Sequence, residues 1–139
     1  MRYHSPDVIR LKDHSVYAPA VIPNFPLTSW TSEMSTELAE NAAYYNTRGV
    51  PVWLRFAYEF NGGWYAYGLN PEIYKQKFRE VAAAVRANPD CNSTYMVWAP
   101  NVAGGDVDSI RGYTPYWPGD DAVDMVGLSF YFSGRRFQL

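Results

Sequence analysis

The chain has 139 residues, of which 47% are apolar and 19% charged, so it can bury the core of one domain and is not disordered by composition. A formal net charge of −2, with Lys and Arg scattered along the chain, gives no reason to expect a nucleic-acid partner. The single cysteine excludes an internal disulfide and a cysteine-based zinc site, and we expect no metal and no cofactor.

Residues 1–30 are predicted to be an irregular N-terminal segment, and residues 31–139 a single domain. The first twenty residues lack the apolar stretch of a signal peptide, so no signal peptide is visible. No apolar run is long enough to cross a bilayer, and we expect no membrane partner.

Two helices are predicted. The first begins near Ser32, with Thr31 or Ser32 as its N-cap, and stops at Gly49. The second spans residues 71–87, with Asn70 as N-cap and Pro71 in the first helical position. Apolar residues recur at helical spacing in both: Met34, Leu38, Ala42 and Tyr45 in the first, and Tyr74, Phe78, Val81 and Val85 in the second.

Three apolar runs, at 50–60, 94–100 and 122–132, are too continuous for half-exposed strands and predict strands buried on both faces. The predicted order is helix, strand, helix, strand, loop, strand, and strands that alternate with a helix favour right-handed crossovers and a parallel sheet. Three strands are few for a chain of this length, so the simplest prediction is an α/β fold that forms part of a larger barrel.

In parallel α/β folds, ligand groups come from the carboxyl ends of the strands. The first strand end places Glu59 among aromatic rings, where partial loss of water favours the protonated carboxyl that a general acid needs. Strand alternation puts Arg55 on the same face, so an ion pair between Glu59 and Arg55 with a purely structural role is the alternative. The strand ends carry these further candidates: Tyr58, Asn61, Trp64, Trp98, Asn101 and Tyr131.

Three segments, in this order, resemble the fourth-, fifth- and sixth-strand motifs of glycoside hydrolase family 26, the family of β-mannanases and related endo-glycanases. They are VPVWLRFAYEFNGGWYAYG (50–68), VWAPN (97–101) and YWPGDDAVDMVGLSFY (116–131). The resemblance implies a partial (β/α)₈ TIM barrel, about strands four to six, and retaining hydrolysis by two glutamates. It also implies a polysaccharide partner, a β-mannan or related glycan, and a secreted protein.

Carried over residue by residue, the resemblance makes Glu59 the acid/base residue and Asn61 part of the Asn-Gly that follows it. Trp64 corresponds to the tryptophan that borders the sugar cleft, and Tyr131 to the tyrosine that hydrogen-bonds the nucleophile. Tyr58 stands where the family usually has a substrate-contacting histidine, which leaves mannan, xylan and mixed-linkage glucan open. Trp98 and Asn101 are predicted as further substrate contacts, and Arg55 as a supporting residue.

The family nucleophile lies on strand seven, whereas the recognisable motifs here end with strand six. We therefore expect strands one, two, seven and eight to be absent and this chain to be inactive on its own. Two other hypotheses stay open. One is a non-catalytic carbohydrate-binding remnant with stacking surfaces at Trp64, Tyr65, Tyr67 and Trp98. The other is a small α/β domain that binds no sugar.

Overall fold

The computed structural model describes residues 15–103 and 105–131. Within these ranges, parallel strands form one sheet in chain order: β1 (Ala20–Val21), β2 (Val52–Phe56), β3 (Thr94–Trp98) and β4 (Met125–Val126). The predicted parallel pairing of the three apolar runs is confirmed, with Leu54 opposite Met96 and Val97 opposite Met125. Predicted positions in 1–14, at 104 and from 132 onward lie outside the described residues.

Strand β1 corrects the expectation that residues 1–30 are irregular throughout. Ala20 and Val21 pair in parallel with Arg55 and Phe56, so this short strand extends the sheet beyond β2. Its sequence signal is weak because only two residues pair and prolines at 19 and 23 flank them. The pairing comes from the β2 edge, which offers hydrogen-bonding groups to any extended segment beside it.

Strand β2 is shorter than the predicted run of 50–60. It ends at Phe56 because Ala57 and Glu59 adopt positive φ angles of 47° and 56°, which a strand does not tolerate. The strand predicted at 94–100 ends at Trp98, and the one predicted at 122–132 is regular only at Met125–Val126, with a further bridge between Asn101 and Ser129.

Helix α1 (Ser32–Asn46) begins as predicted, since the Thr31 hydroxyl oxygen accepts a hydrogen bond of 3.3 Å from the backbone N–H of Met34. The chain leaves this helix through Gly49, whose φ of 79° is the left-handed conformation that glycine adopts without strain.

Helix α2 (Pro71–Ala87) has the predicted bounds and the predicted proline in its first turn. The cap prediction at Asn70 is wrong in one respect: the side chain makes no capping hydrogen bond, and only the backbone carbonyl accepts from Tyr74 N–H, at 3.1 Å. The predicted apolar stripe of this helix is confirmed as buried: Tyr74, Phe78, Val81 and Val85.

The two faces of the sheet differ in burial. One face, together with both helices, forms a hydrophobic core that includes Leu54, Phe56 and Met96. The neighbouring positions Trp53 and Tyr95, which pair across β2 and β3, are each 42% exposed. This is the pattern of a barrel wall, covered by helices outside and lined by side chains inside. No helix among the described residues is long and apolar enough to cross a membrane.

Candidate active site

Glu59 lies at the carboxyl end of the sheet, and both of its carboxylate oxygens accept hydrogen bonds. The indole N–H of Trp64 donates to Oε2 at 2.9 Å, and the hydroxyl of Tyr131 donates to Oε1 at 3.0 Å. The Glu59 residue is only 4% exposed, whereas Trp64 is 55% and Tyr131 is 73% exposed. A buried carboxyl group thus sits beneath two exposed aromatic residues at the carboxyl end of the sheet.

The backbone of Glu59 accounts for this placement. Its φ of 56° is the left-handed conformation, which costs a non-glycine residue on the order of 1–3 kcal/mol and recurs at functional sites. The conformation persists because its N–H donates to the Ala99 carbonyl at 2.8 Å and its carbonyl accepts from Gly62 N–H at 3.0 Å. The first bond ties the loop after β2 to the residue that follows β3, and the second closes a turn within the loop. Nothing in the local sequence points to Ala99 as a partner.

Gly62 makes room for the Trp64 ring. A Cβ atom at Gly62 would overlap the six-membered ring of the indole. The glycine is therefore required for the indole to fold back over the loop and point its N–H at Glu59. Spacing alone suggests a turn here, but not this packing.

Arg55 does not form the ion pair with Glu59 that the structural alternative requires. Among the described residues no ion pair joins Arg55 to Glu59. The guanidinium carbon instead lies 5.2 Å from the ring centre of Tyr58, and Arg55 Nε is buried with no hydrogen-bond partner. The left-handed residues at 57 and 59 explain the difference, because they carry Glu59 out of the strand alternation that would have placed it above Arg55.

Tyr58 belongs to a cluster of three tyrosines. The Tyr65 hydroxyl donates to the Tyr58 hydroxyl at 2.8 Å, and the Tyr67 hydroxyl donates to the Tyr58 carbonyl at 2.8 Å. The Tyr65 and Tyr67 rings stack with their centres 5.0 Å apart. The hydrogen bond to Tyr58 raises the pKa of Tyr65, and burial raises the pKa of Tyr67, so both hydroxyls remain protonated donors at neutral pH.

Asn61 uses its amide on backbone groups. Its Nδ2 donates to the carbonyls of Asn101 at 2.9 Å and Arg111 at 3.0 Å, and its Oδ1 accepts from the Asn101 N–H at 2.8 Å. These bonds hold the loops after β2 and β3 together. The predicted contact of Asn61 with substrate remains a prediction, and the observed bonds give this residue a structural task.

A polar cavity of about 240 Å³ opens beside Trp64. Asn101 lines it, with Asp106 and Arg111. Asp106 Oδ1 accepts from the Asp108 N–H at 2.9 Å, a turn-stabilising contact. Of the predicted substrate contacts, the structure therefore brings Asn101, Trp64 and Asn61 to one cavity, and Trp64 also contacts Glu59.

Trp98 lies away from this cavity, in the hydrophobic core. Its indole N–H donates to the Tyr116 carbonyl at 3.2 Å, and its ring packs on Phe60 and Trp117. Tyr67 is buried as well. The position of these rings gives no support to Trp98 as a substrate contact, and of the rings predicted to form a stacking surface, Trp64 is the largely exposed one.

Among the described residues, no group of three or more His, Cys, Asp or Glu side chains could hold a metal ion. The parallel sheet and its helices form one part of a (β/α)₈ barrel, and the candidate site lies at the carboxyl end of the described strands. The chain belongs to Glycosyl hydrolase family 26, whose sequence pattern it matches over residues 29–137.

Curated relatives and solved structures agree with this assignment. The chain is 42% identical over 81 residues to a β-1,3-xylanase of Vibrio sp, and the aligned region covers 58% of this chain and 17% of the relative. It is 28% identical over 109 residues to a mannan endo-1,4-β-mannosidase of Bacillus subtilis strain 168, covering 71% of this chain and 28% of the relative. The chain thus spans less than a third of either relative.

Two solved structures share its fold. A mannanase of Bacillus subtilis matches with a TM-score of 0.57 and 26% identity, covering 71% of this chain and 31% of that structure. A β-mannanase from a symbiotic protist of the termite Reticulitermes speratus matches with a TM-score of 0.61 and 21% identity. That match covers 80% of this chain and 35% of the protist structure.

Proposed function

We propose that this chain carries the acid/base part of a retaining endo-glycanase site that acts on β-mannan or a related β-glycan, with Glu59 as the proton donor. The observation that supports the proposal most is the burial of Glu59 at the carboxyl end of a parallel sheet, beneath an exposed tryptophan. A carboxyl group at this position can pass a proton to a leaving-group oxygen, and a flat indole ring covers the apolar face of a sugar.

Retaining hydrolysis requires a second carboxylate about 5–5.5 Å from the first. Several acidic side chains of the described residues are bound elsewhere: Asp121 to Arg79, Asp124 to Arg86, and Asp120 to the indole of Trp117. Asp106, which lines the cavity beside Trp64, is an exposed turn residue whose Oδ1 accepts from the Asp108 N–H. We therefore infer that the nucleophile comes from a barrel strand outside the described residues, and that the 139-residue polypeptide by itself does not hydrolyse mannan.

The test is a chimera in which the remaining strands of a Bacillus subtilis mannanase complete the barrel. In this chimera, Glu59→Gln should lower the rate on mannan by about 10²–10⁴-fold, the usual share of general acid–base catalysis. The formation of the glycosyl-enzyme from aryl glycosides with good leaving groups should suffer much less, since those leaving groups need no proton.

The matched control is Glu72→Gln, which changes an exposed glutamate paired with Lys75 on helix α2 and should leave both rates unchanged. Equal loss on mannan and on activated aryl glycosides would show that Glu59 is not the acid. Specific binding of mannan by the 139-residue chain, together with no hydrolysis by any chimera, would instead favour a carbohydrate-binding role.

A second candidate substrate is β-1,3-xylan. The 42% identity to a β-1,3-xylanase exceeds the 28% identity to the mannan endo-1,4-β-mannosidase, and Tyr58 replaces the histidine expected in a β-mannanase. Tyr58→His in the chimera should raise the ratio of mannan to β-1,3-xylan hydrolysis if Tyr58 contributes to the choice of sugar. An unchanged ratio would remove this candidate's structural support.

Polymeric glycans such as mannan and xylan are too large to enter a cell intact, so we propose that the protein acts outside the cell. Detection of the protein in the culture supernatant of its source organism would support secretion, and retention within washed cells would contradict it.

A further inference from the structure

The polar cavity of about 240 Å³ is lined by residues whose side-chain groups no other described residue engages. Asn101 contacts Asn61 only through its backbone N–H and carbonyl, which leaves the Asn101 side-chain amide free among the described residues. The backbone carbonyl of Arg111 also accepts from Asn61, whereas no described hydrogen bond or ion pair engages the guanidinium. Asp106 uses Oδ1 for the Asp108 N–H, and its Oδ2 has no described partner.

These groups have the chemistry of a sugar-binding site. A guanidinium donates hydrogen bonds, a carboxylate oxygen accepts them, and a side-chain amide does both. A pyranose carries several hydroxyls, and each of them both donates and accepts, so neighbouring hydroxyls of one ring can satisfy all three kinds of group. Trp64, which is 55% exposed, lines the same cavity and adds the flat apolar ring on which a sugar can stack.

The loop that carries Asp106 and Arg111 is held in place by its own backbone. Tyr113 N–H donates to the Val107 carbonyl at 2.7 Å, and this bond closes the loop. Gly112 packs so tightly that a Cβ atom there would overlap the same carbonyl. A loop that is already ordered loses little conformational freedom when a ligand binds, which favours binding.

Glu59 does not line this cavity, and Trp64 connects the two, since its indole N–H donates to Glu59. We propose, on the basis of the proposed glycanase function, that the cavity binds a pyranose unit of the glycan next to the unit at Glu59, with Arg111 and Asp106 as hydrogen-bonding contacts. All lining residues fall within 61–111, on the loops after β2 and β3. The 139-residue chain should therefore bind sugar although it does not hydrolyse it.

The test is an NMR titration of the 139-residue chain with β-1,4-mannotriose and with β-1,3-xylotriose, which are short pieces of the two candidate glycans. The signals of the Trp64 indole N–H and of the Asn101 side-chain amide should shift to saturation with at least one trisaccharide. No saturable shift with either trisaccharide would overturn the proposal. Shifts at Trp64 without any at Asn101 would also overturn it, because the sugar would then stack on the indole outside the cavity.

Two variants test the proposed contacts. Arg111→Met keeps the alkyl part of the side chain and removes every donor, and should weaken binding by about tenfold or more, because a hydrogen bond from a charged group is lost. Asp106→Asn keeps an oxygen for the Asp108 N–H and removes the charge, and should weaken binding by about threefold or more. Unchanged binding in both variants would overturn the proposal.

Each variant has a matched control. Asp108→Asn makes the same change in the same turn, at a residue that does not line the cavity. Arg48→Met removes an exposed guanidinium that follows α1 and precedes β2, at the end of the strand opposite the cavity. Both controls should keep the dissociation constant within about twofold. Equal weakening by variants and controls would show that charge anywhere on the chain matters, and would contradict the assigned contacts.

Failure of this proposal and failure of the proposed function give different results. If the chain binds neither trisaccharide while Glu59→Gln in the chimera loses activity mainly on mannan, the glycanase function stands and the cavity proposal fails. If Arg111→Met and Asp106→Asn weaken binding while Glu59→Gln affects mannan and activated aryl glycosides equally, the cavity binds sugar and Glu59 is not the acid.

Discussion

Replacement of Asn61 by alanine tests whether this residue holds the two site loops together. Its amide makes three hydrogen bonds to backbone groups of Asn101 and Arg111, and the residue is buried. Each bond contributes about 1 kcal/mol net, and its loss leaves a polar backbone group without its partner, so Asn61→Ala should lower the free energy of unfolding by about 3 kcal/mol. That is a large part of the 5–15 kcal/mol typical of a domain, which marks Asn61 as a structural residue first.

The assay is equilibrium unfolding in urea, followed by tryptophan fluorescence and circular dichroism. The midpoint should fall while the slope with urea stays the same, because the surface exposed on unfolding does not change. The matched control is Asn101→Ala, since Asn101 takes part in this network through its backbone N–H and carbonyl, which alanine retains.

The control should change the free energy of unfolding by no more than about 0.5 kcal/mol, as for a site without a special interaction. Equal losses for Asn61→Ala and Asn101→Ala would refute the reasoning. So would a loss below about 0.5 kcal/mol for Asn61→Ala, which would mean that the loops open locally without weakening the rest of the fold.

Three further predictions concern other parts of the fold and site. Asn46→Ala should lower the free energy of unfolding by about 2–3 kcal/mol in the same urea assay, because the buried side-chain amide of Asn46 forms hydrogen bonds with both the loop before β2 and the start of β3. Near-native stability of this variant would contradict the prediction. Gly62→Ala should displace the Trp64 ring and cost about 1–3 kcal/mol, visible as a change in tryptophan fluorescence, and an unchanged spectrum would show that the loop yields instead. Glu59→Gln should lower the pKa of Tyr131 toward its ordinary value, since the bond to the Glu59 carboxylate raises it, and a ¹³C titration of the tyrosine rings that shows no downward shift would argue against that bond.

Local sequence patterns determined the helices and the direction of the strands. Both helices have their predicted starts at residues 32 and 71, because helical periodicity and N-terminal signals act within a few residues of each other. The parallel arrangement of β2, β3 and β4 followed from strands joined by long connections. The same patterns predicted Glu59 as the candidate acid, and that catalytic role stays a prediction.

Tertiary contacts decided what surrounds Glu59. Its left-handed backbone is held by the carbonyl of Ala99, forty residues along the chain, and its Oε1 is bound by Tyr131 on the far side of β3. The sequence around residues 50–60 predicts one continuous strand with Glu59 above Arg55, since no local signal reports a partner that distant. Whether a strand continues or turns is settled by the hydrogen bonds available where it ends, and these exist only once the neighbouring strands are in place.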